Sequence, residues 1–137
     1  MGGGKLIVLD THVLIWWVSG ARALSRDAMK RIESNAVIEG GILVSSISAW
    51  EIAMLVAGNR LVLPMDVDAW LAEIARIPAI VFVPVDNAIA VKSASLPGQF
   101  HKDPADRMIV TLARQLSLEL ITSDEKILAY AHVKTVW

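Results

Sequence analysis

The sequence predicts a single α/β domain in which helices cover both faces of a central, mostly parallel sheet. Short apolar runs alternate with helical segments along the whole chain, and a strand that is apolar throughout is typical of a sheet buried on both faces. The 137 residues fit one domain, and 55% of them are hydrophobic, which is enough for one core. No repeat, linker or low-complexity tract divides residues 1–137.

The first third of the chain predicts two strands and two helices. Residues 5–9 form an apolar run, and residues 11–18 are apolar nearly all round, which indicates a helix buried in the interior. Ser25 caps a second helix, which continues to about residue 39, where two glycines are expected to stop it. The apolar run 42–45 predicts the second strand.

Two helices and a strand follow in the middle of the chain. A helix over 48–57 opens on a serine and ends at a glycine. The next helix begins at Asp66 or Asp68, either of which can cap it, and Pro78 ends it. Residues 80–83 are apolar and predict the third strand.

The last third predicts three helices and two strands. Asp86 and Asp103 are expected N-cap residues, and Pro104 occupies the first helical position, where proline is favoured. The segment between these two helices has turn chemistry. The predicted elements are a helix at 86–95, a loop at 97–102, a helix at 103–117, a strand at 119–122, a helix at 124–131 and a strand at 133–136.

Composition and charge exclude several classes of protein. There is no cysteine, which excludes disulfide scaffolds, thiolate zinc sites and cysteine nucleophiles. Thirteen basic and fourteen acidic residues give a net charge of −1, so bulk charge would not hold nucleic acid. The apolar surplus exceeds what a monomer of this size easily hides, and a partner chain or a homodimer is therefore expected.

The terminal and apolar segments predict no membrane association. The longest uncharged apolar stretches are 13–18 and 77–85, far below the roughly 18 to 20 residues that cross a bilayer. No signal peptide is recognisable, so a cytoplasmic location is expected. Residues 1–4 are glycine-rich, but they precede their strand, which favours a flexible terminus over a phosphate-binding loop.

Acidic residues lie near the carboxyl ends of the predicted strands. Asp10 and Asp124 come just after apolar runs, and Glu51 lies one helical turn beyond another. Asp103 and Asp106 open a helix that has no strand immediately before it. Because ligands bind at the carboxyl edge of a parallel sheet, several of these acids are expected to meet there.

Each acid also has a purely structural interpretation. Ser48 and Glu51 fit a capping box, and Asp103 and Asp124 stand where helix N-caps stand. Caps do not require the acids to share one edge. If the acids do share it, their like charges need a cation, and oxygen ligands without cysteine indicate Mg²⁺ or Mn²⁺. Such an ion is typical of phosphoryl chemistry.

Four segments in order and spacing resemble the four acidic motifs of PIN-domain ribonucleases: residues 9–17, 45–53, 101–109 and 120–127. The resemblance covers nearly the whole chain and is greatest to the VapC-type toxins of type II toxin–antitoxin pairs. It implies a PIN fold, Mg²⁺- or Mn²⁺-dependent endonucleolytic cleavage of RNA, a cognate antitoxin and a homodimer. It also implies an acidic set that is both catalytic and metal-binding, namely Asp10, Glu51, Asp106 and Asp124, with Asp103 as a further metal-binding acid.

Polar side chains beside these acids could orient them or contact RNA. Arg107 is as plausible a solvated charge as a phosphate ligand, and the hydroxyls can equally satisfy local backbone groups. The candidates are Thr11, His12, Ser46, Arg107, Thr122 and Ser123.

The predicted function is a metal-dependent endoribonuclease in which a metal-activated water attacks the phosphodiester and leaves a 5′-phosphate and a 3′-hydroxyl. The alternative is a non-catalytic regulatory or phospho-acceptor module, which also gathers acids at strand ends. That module needs adjacent acids after its first strand. Asp10 is followed instead by Thr11 and His12, which disfavours it.

Overall fold

The computed structural model describes residues 5–137, so the expected flexibility of residues 1–4 lies outside the described residues. The strands are β1 (Ile7–Leu9), β2 (Ile42–Ser45), β3 (Ile80–Val83), β4 (Glu119–Ile121) and β5 (Thr135–Val136). The helices are α1 (Thr11–Ser19), α2 (Arg26–Ala36), α3 (Ile47–Ala57), α4 (Val67–Ala75), α5 (Asn87–Ser93), α6 (Pro104–Leu116) and α7 (Glu125–Leu128).

The five strands form one parallel sheet in the order β3-β2-β1-β4-β5. β1 lies at the centre, where Ile7 is in register with Ile42 of β2 and Glu119 of β4. Successive strand residues face opposite sides, and Leu9 packs in one apolar cluster while Val8 packs in the other. Helices α1, α2 and α4 cover the first face and α5, α6 and α7 the second, which confirms the predicted fold class.

The helix starts follow N-cap chemistry. At every helix except α3, the side chain of the cap residue accepts a backbone N–H from the first turn, which satisfies a donor that has no partner within the helix. Asp66, not Asp68, occupies the cap of α4. The other predicted caps that the structure confirms are Ser25, Asp86, Asp103 and Asp124.

The end of α2 differs from the prediction. The helix ends at Ala36 instead of near residue 39, because Val37 already has non-helical backbone angles. The side chain of Asn35 donates to the carbonyl of Gly41 at 2.9 Å and ties the helix end to the following turn. Gly40, with a φ of 68°, belongs to that turn and does not stop the helix.

The start of α3 also differs, and the capping-box interpretation is wrong. The helix begins at Ile47, whose backbone N–H is accepted by Oγ of Ser45 at 3.2 Å. The hydroxyl of Ser48 instead lies 2.8 Å from that of Thr11, and Glu51 accepts a hydrogen bond from the same threonine. A long-range contact therefore replaces the expected local one.

The remaining differences are confined to element ends, where short elements fray or turn early. β1 begins two residues later than predicted, while α5, α7 and β5 are shorter than predicted. The longest described helix, α6, has 13 residues, and no helix of the described chain is long and apolar enough to cross a membrane.

Candidate active site

Five acidic side chains lie at the edge of the sheet where the parallel strands end. Because β1 stands between β2 and β4, the segments that follow these three strands converge there. Asp10 follows β1, Glu51 lies in the helix after β2, and Asp124 follows β4. Helix α6 packs on the same three strands and brings Asp103 and Asp106 to this edge at its N-terminus.

Asp10 is buried at the centre of the site, with only 7% of its surface exposed. Its Oδ1 accepts the backbone N–H of Thr11 at 2.8 Å, and its Oδ2 accepts the hydroxyl of Thr122 at 2.8 Å. Burial raises the pKa of the Asp10 carboxyl, while these two hydrogen bonds oppose the rise. Oγ1 of Thr122 also accepts the backbone N–H of Asp124 at 3.0 Å, so one threonine links two of the acids.

Glu51 is oriented by a chain of two hydroxyl groups. Thr11 donates its hydroxyl hydrogen to Oε1 of Glu51 at 2.5 Å. Because that hydrogen is used, Ser48 must be the donor in the 2.8 Å contact between the two hydroxyl oxygens. Burial is the main cause that raises the pKa of the Glu51 carboxyl, and the charges of Asp10 and Asp103 raise it further.

Three of the acids form a cluster with the geometry of a metal site. One oxygen each of Glu51, Asp103 and Asp106 lies within 4.8 Å of the others. Oδ1 of Asp103 also accepts the backbone N–H of Asp106 at 2.9 Å, which fixes the first turn of α6. A donor set made only of carboxylate oxygens fits a hard cation such as Mg²⁺ or Mn²⁺.

Asp106 experiences the combined field of the whole site. Burial, which is the largest cause, and the negative charges of the four other acids together raise the pKa of its carboxyl to about 8. Nε2 of His101 lies 3.0 Å from Oδ2 of Asp106 without hydrogen-bond geometry, and in the described part of the chain this buried nitrogen has no partner. The raised pKa of Asp106 favours its protonated form at neutral pH when no cation is bound.

Asp124 is both a helix cap and a member of the site. Its Oδ1 accepts the backbone N–H groups of Lys126 and Ile127 at 2.9 and 3.2 Å. Its negative charge also raises the pKa of Asp106 and of Asp10. Capping and site membership are thus compatible, because a cap at the start of a helix that follows a strand lies at the carboxyl edge of the sheet.

The other predicted neighbours divide into two groups. Thr11 and Thr122 are buried and donate hydrogen bonds to Glu51 and Asp10, which is the orienting role among the two expected of them. His12 is exposed at the start of α1, with its ring centroid 5.9 Å from that of Trp16. Ser46 and Ser123 are half-buried, and Ser46 makes no side-chain cap bond to α3.

Arg107 has a structural role that its sequence position did not predict. Its guanidinium donates to the backbone carbonyls of Ser93, Phe100 and His101 at 2.8, 3.0 and 3.1 Å. The side chain therefore fastens the loop before α6 and the end of α5 to the helix. Arg107 is therefore not a freely solvated charge, while its contact with a phosphate group stays a prediction.

Two further residues, Ser48 and His101, lie at the site in positions that their sequence neighbourhood does not specify. The sequence offers His101 only as a residue that flanks the acids and could touch phosphate or a metal-bound water, and Ser48 only as part of a capping box. Ser48 reaches the site through Thr11, which is 37 positions away in the chain. His101 reaches Asp106 because the preceding loop folds back onto α6. A histidine five residues before an acid has no fixed geometry unless the loop conformation is known.

Comparison with known proteins gives one family. A model of the PIN domain matches residues 7–133. The chain is also 32% identical over 133 residues to Ribonuclease VapC22 of Mycobacterium tuberculosis, an alignment that covers 96% of this chain and 98% of that protein.

Several solved structures share the fold of this chain. DNA-bound VapBC from Salmonella typhimurium gives a TM-score of 0.68 at 16% identity and covers 97% of this chain and 98% of that one. A toxin–antitoxin complex from Klebsiella pneumoniae gives 0.63 at 20% identity, with 96% of each chain covered. FitAcB from Neisseria gonorrhoeae gives 0.61 at 24% identity and covers 96% and 97%. At these identities the likeness establishes the fold alone.

Proposed function

Since the chain belongs to the PIN-domain family and matches a VapC ribonuclease over nearly its whole length, we propose that it is a divalent-metal-dependent endoribonuclease. We further propose that it acts in the cytoplasm as the toxin of a type II toxin–antitoxin pair. The observation that carries the proposal is the acidic cluster, in which Glu51, Asp103 and Asp106 bring oxygens within 4.8 Å of one another. Like charges at that spacing need a cation.

The acids have distinct tasks in this proposal. Glu51, Asp103 and Asp106 would hold the ion, and Asp10 and Asp124 complete the negative site beside them. Mg²⁺ or Mn²⁺ would acidify water for attack on the phosphodiester and stabilise charge on the leaving oxygen. Asp106 must lose its proton before it can serve as a ligand, because its pKa is raised to about 8.

The surrounding hydroxyls keep the acids in position. Thr122 and the backbone of Thr11 fix both oxygens of Asp10, and Thr11 fixes Glu51. Attack of water on phosphorus with departure of the 3′ oxygen would leave a 5′-phosphate and a 3′-hydroxyl. Loss of a hydrogen-bond partner of this kind costs roughly 10- to 100-fold in activity or metal affinity at metal sites.

The phospho-acceptor alternative requires an aspartate that offers a free oxygen to a phosphoryl group. Asp10 is the candidate by position, but both of its oxygens accept hydrogen bonds inside the protein. Its neighbours Thr11 and His12 are also not the adjacent acids that such a module needs. These observations favour the nuclease.

Cleavage of RNA should depend on the metal and on Asp10. The purified chain incubated with mixed RNAs and Mn²⁺ is expected to produce discrete fragments, and EDTA should prevent this. Asp10→Asn keeps the size of the side chain but removes a charge from the site, so it should abolish cleavage. Cleavage that survives in EDTA or in Asp10→Asn at the rate of the parent would indicate a contaminating nuclease or another mechanism.

An antitoxin would bind an apolar groove at the C-terminal end of α1, the end away from Asp10. The groove has a volume of ≈ 700 Å³ and lies between the end of α1, residues 61–65 and α4. An amphipathic helix or extended tail is the kind of partner that such a groove accepts. Helix α1 leads from Asp10 to the groove, so the same tail could place a basic side chain against the acids.

Self-association is expected through α3. Trp50 and Met54 are four residues apart on this helix and are 53% and 54% exposed, which is unusual for a monomer. Light scattering at tens of micromolar should give a mass above that of the monomer, and Trp50→Lys should lower it. Val37→Lys, at an exposed residue beyond α2, is the control that should leave the mass unchanged. A monomeric parent would contradict the expectation.

A further inference from the structure

A second groove adjoins the acidic site and has a different lining. The acidic groove is lined by His101, Asp103, Asp106, Asp124, Glu125 and Lys126. The second groove has a volume of ≈ 440 Å³ and shares His101 and Lys126 with the first. Among its lining residues there is no acid, and it is walled by Phe100, Tyr130 and His132. A ligand that extends past Lys126 would therefore leave the acidic groove and enter the aromatic one.

The aromatic wall of the second groove is a continuous set of ring contacts. The ring centroids of Phe100 and Tyr130 are 4.6 Å apart, and those of Tyr130 and His132 are 5.3 Å apart. His101 meets Phe100 edge-on at 4.5 Å. Tyr130 is buried and supports the wall from behind, while His132 is exposed and Phe100 is half-buried.

The loop that lines one side of the groove, residues 98–101, is held in place by hydrogen bonds within the protein. Tyr130 donates its hydroxyl to the carbonyl of Pro97 at 2.5 Å, and Arg107 donates to the carbonyls of Phe100 and His101. Gly98 has a φ of 65°, and a Cβ there would lie 3.2 Å from Nε2 of His132. Glycine therefore lets the loop approach the imidazole closely. A pre-formed site of this kind loses little entropy on binding.

We propose that this groove binds one unpaired nucleobase of the RNA substrate next to the cleaved phosphate, with the base stacked on Phe100 and His132. Lys126 lies where the phosphate backbone would pass between the two grooves. Aromatic side chains stack on every base, and a lysine at the rim neutralises phosphate charge. The inference rests on the proposed nuclease function and adds to it the part of the substrate that sets the cleavage position.

The test combines protein variants with abasic substrates. The reference substrate is a single-stranded RNA oligonucleotide that the parent cleaves at one mapped position. It is compared with a series of abasic copies, each of which lacks the base of one nucleotide near the cleaved bond. The parent should cleave one of these abasic copies with a kcat/KM roughly fivefold or more below that for the intact RNA. That factor corresponds to the lower end of the free energies measured for stacking of a base on an aromatic side chain. His132→Ala and Phe100→Leu should lose a similar factor on the intact RNA, mainly through KM, and should no longer respond to that missing base.

Two comparisons keep the outcomes distinct. Lys126→Ala should raise KM, whereas Lys92→Ala, an exposed lysine at the end of α5 and away from both grooves, should not. Binding of the uncut RNA to Asp106→Asn, followed by fluorescence anisotropy, should weaken when His132→Ala is added. If the parent cuts RNA but both aromatic variants keep its KM and its response to missing bases, the base-binding groove is wrong while the nuclease function stands. If no RNA is cut with Mn²⁺, both fall.

Discussion

Replacement of Asp106 by asparagine is expected to reduce RNA cleavage by more than about a hundredfold while leaving the fold intact. Loss of a partner that only supports a metal ligand costs roughly 10- to 100-fold, and loss of a ligand should cost more. The amide retains the shape of the side chain but offers no negative oxygen to the ion. Asp106 lies inside the first turn of α6 and is not its cap, so the helix start should be preserved.

Asp103→Asn should lose less activity than Asp106→Asn. Oδ1 of Asp103 caps α6 at 2.9 Å, and asparagine caps a helix as well as aspartate does. Asp66→Asn is a matched control, because Asp66 caps α4 through the same atom at the same distance but is outside the site. It should change neither stability nor cleavage. Equal loss in the Asp103 and Asp106 variants would show that both are indispensable ligands and that the ranking is wrong.

The fold could be predicted because its signals are local. Apolar runs gave all five strand positions to within a few residues, and the side chains of Ser25, Asp86 and Asp103 cap helices through atoms three residues away. The parallel order then follows from the helices between the strands. Convergence of the acids at one edge is a consequence of that order, so their meeting could be predicted as well.

What could not be predicted depends on contacts between distant segments. The bond from Thr11 to Glu51 joins residues 40 positions apart, and it replaces the local capping box that the sequence favours. Arg107 is satisfied by carbonyls of a loop whose path no pattern specifies. The closeness of Glu51 to Asp103 and Asp106 likewise requires the packing of α3 against α6.

The repulsion within the site predicts an unusual dependence of stability on pH in metal-free protein. The carboxyl of Asp106 has a pKa of about 8 in the fold and near 3.9 in an unfolded chain. The folded state therefore binds its proton more tightly. The contribution of Asp106 to the free energy of unfolding is fully present below the unfolded-state pKa and is lost as the pH rises through the folded-state pKa of about 8. In EDTA, the melting temperature should consequently rise as pH is lowered from about 9 to about 6.

Asp106→Asn should remove much of this dependence, because its side chain does not ionise, and it should melt above the parent at pH 9 in EDTA. Addition of Mn²⁺ should instead stabilise the parent more than the variant. It should stabilise the parent by about 2.7 kcal/mol at a hundredfold excess over its dissociation constant, or roughly 10 °C for a domain of this size, and should stabilise Asp106→Asn much less. Thermal unfolding followed by circular dichroism measures both effects. If the variant melts below the parent at pH 9 and Mn²⁺ shifts neither protein, the acids stabilise the fold as ordinary polar groups and hold no metal.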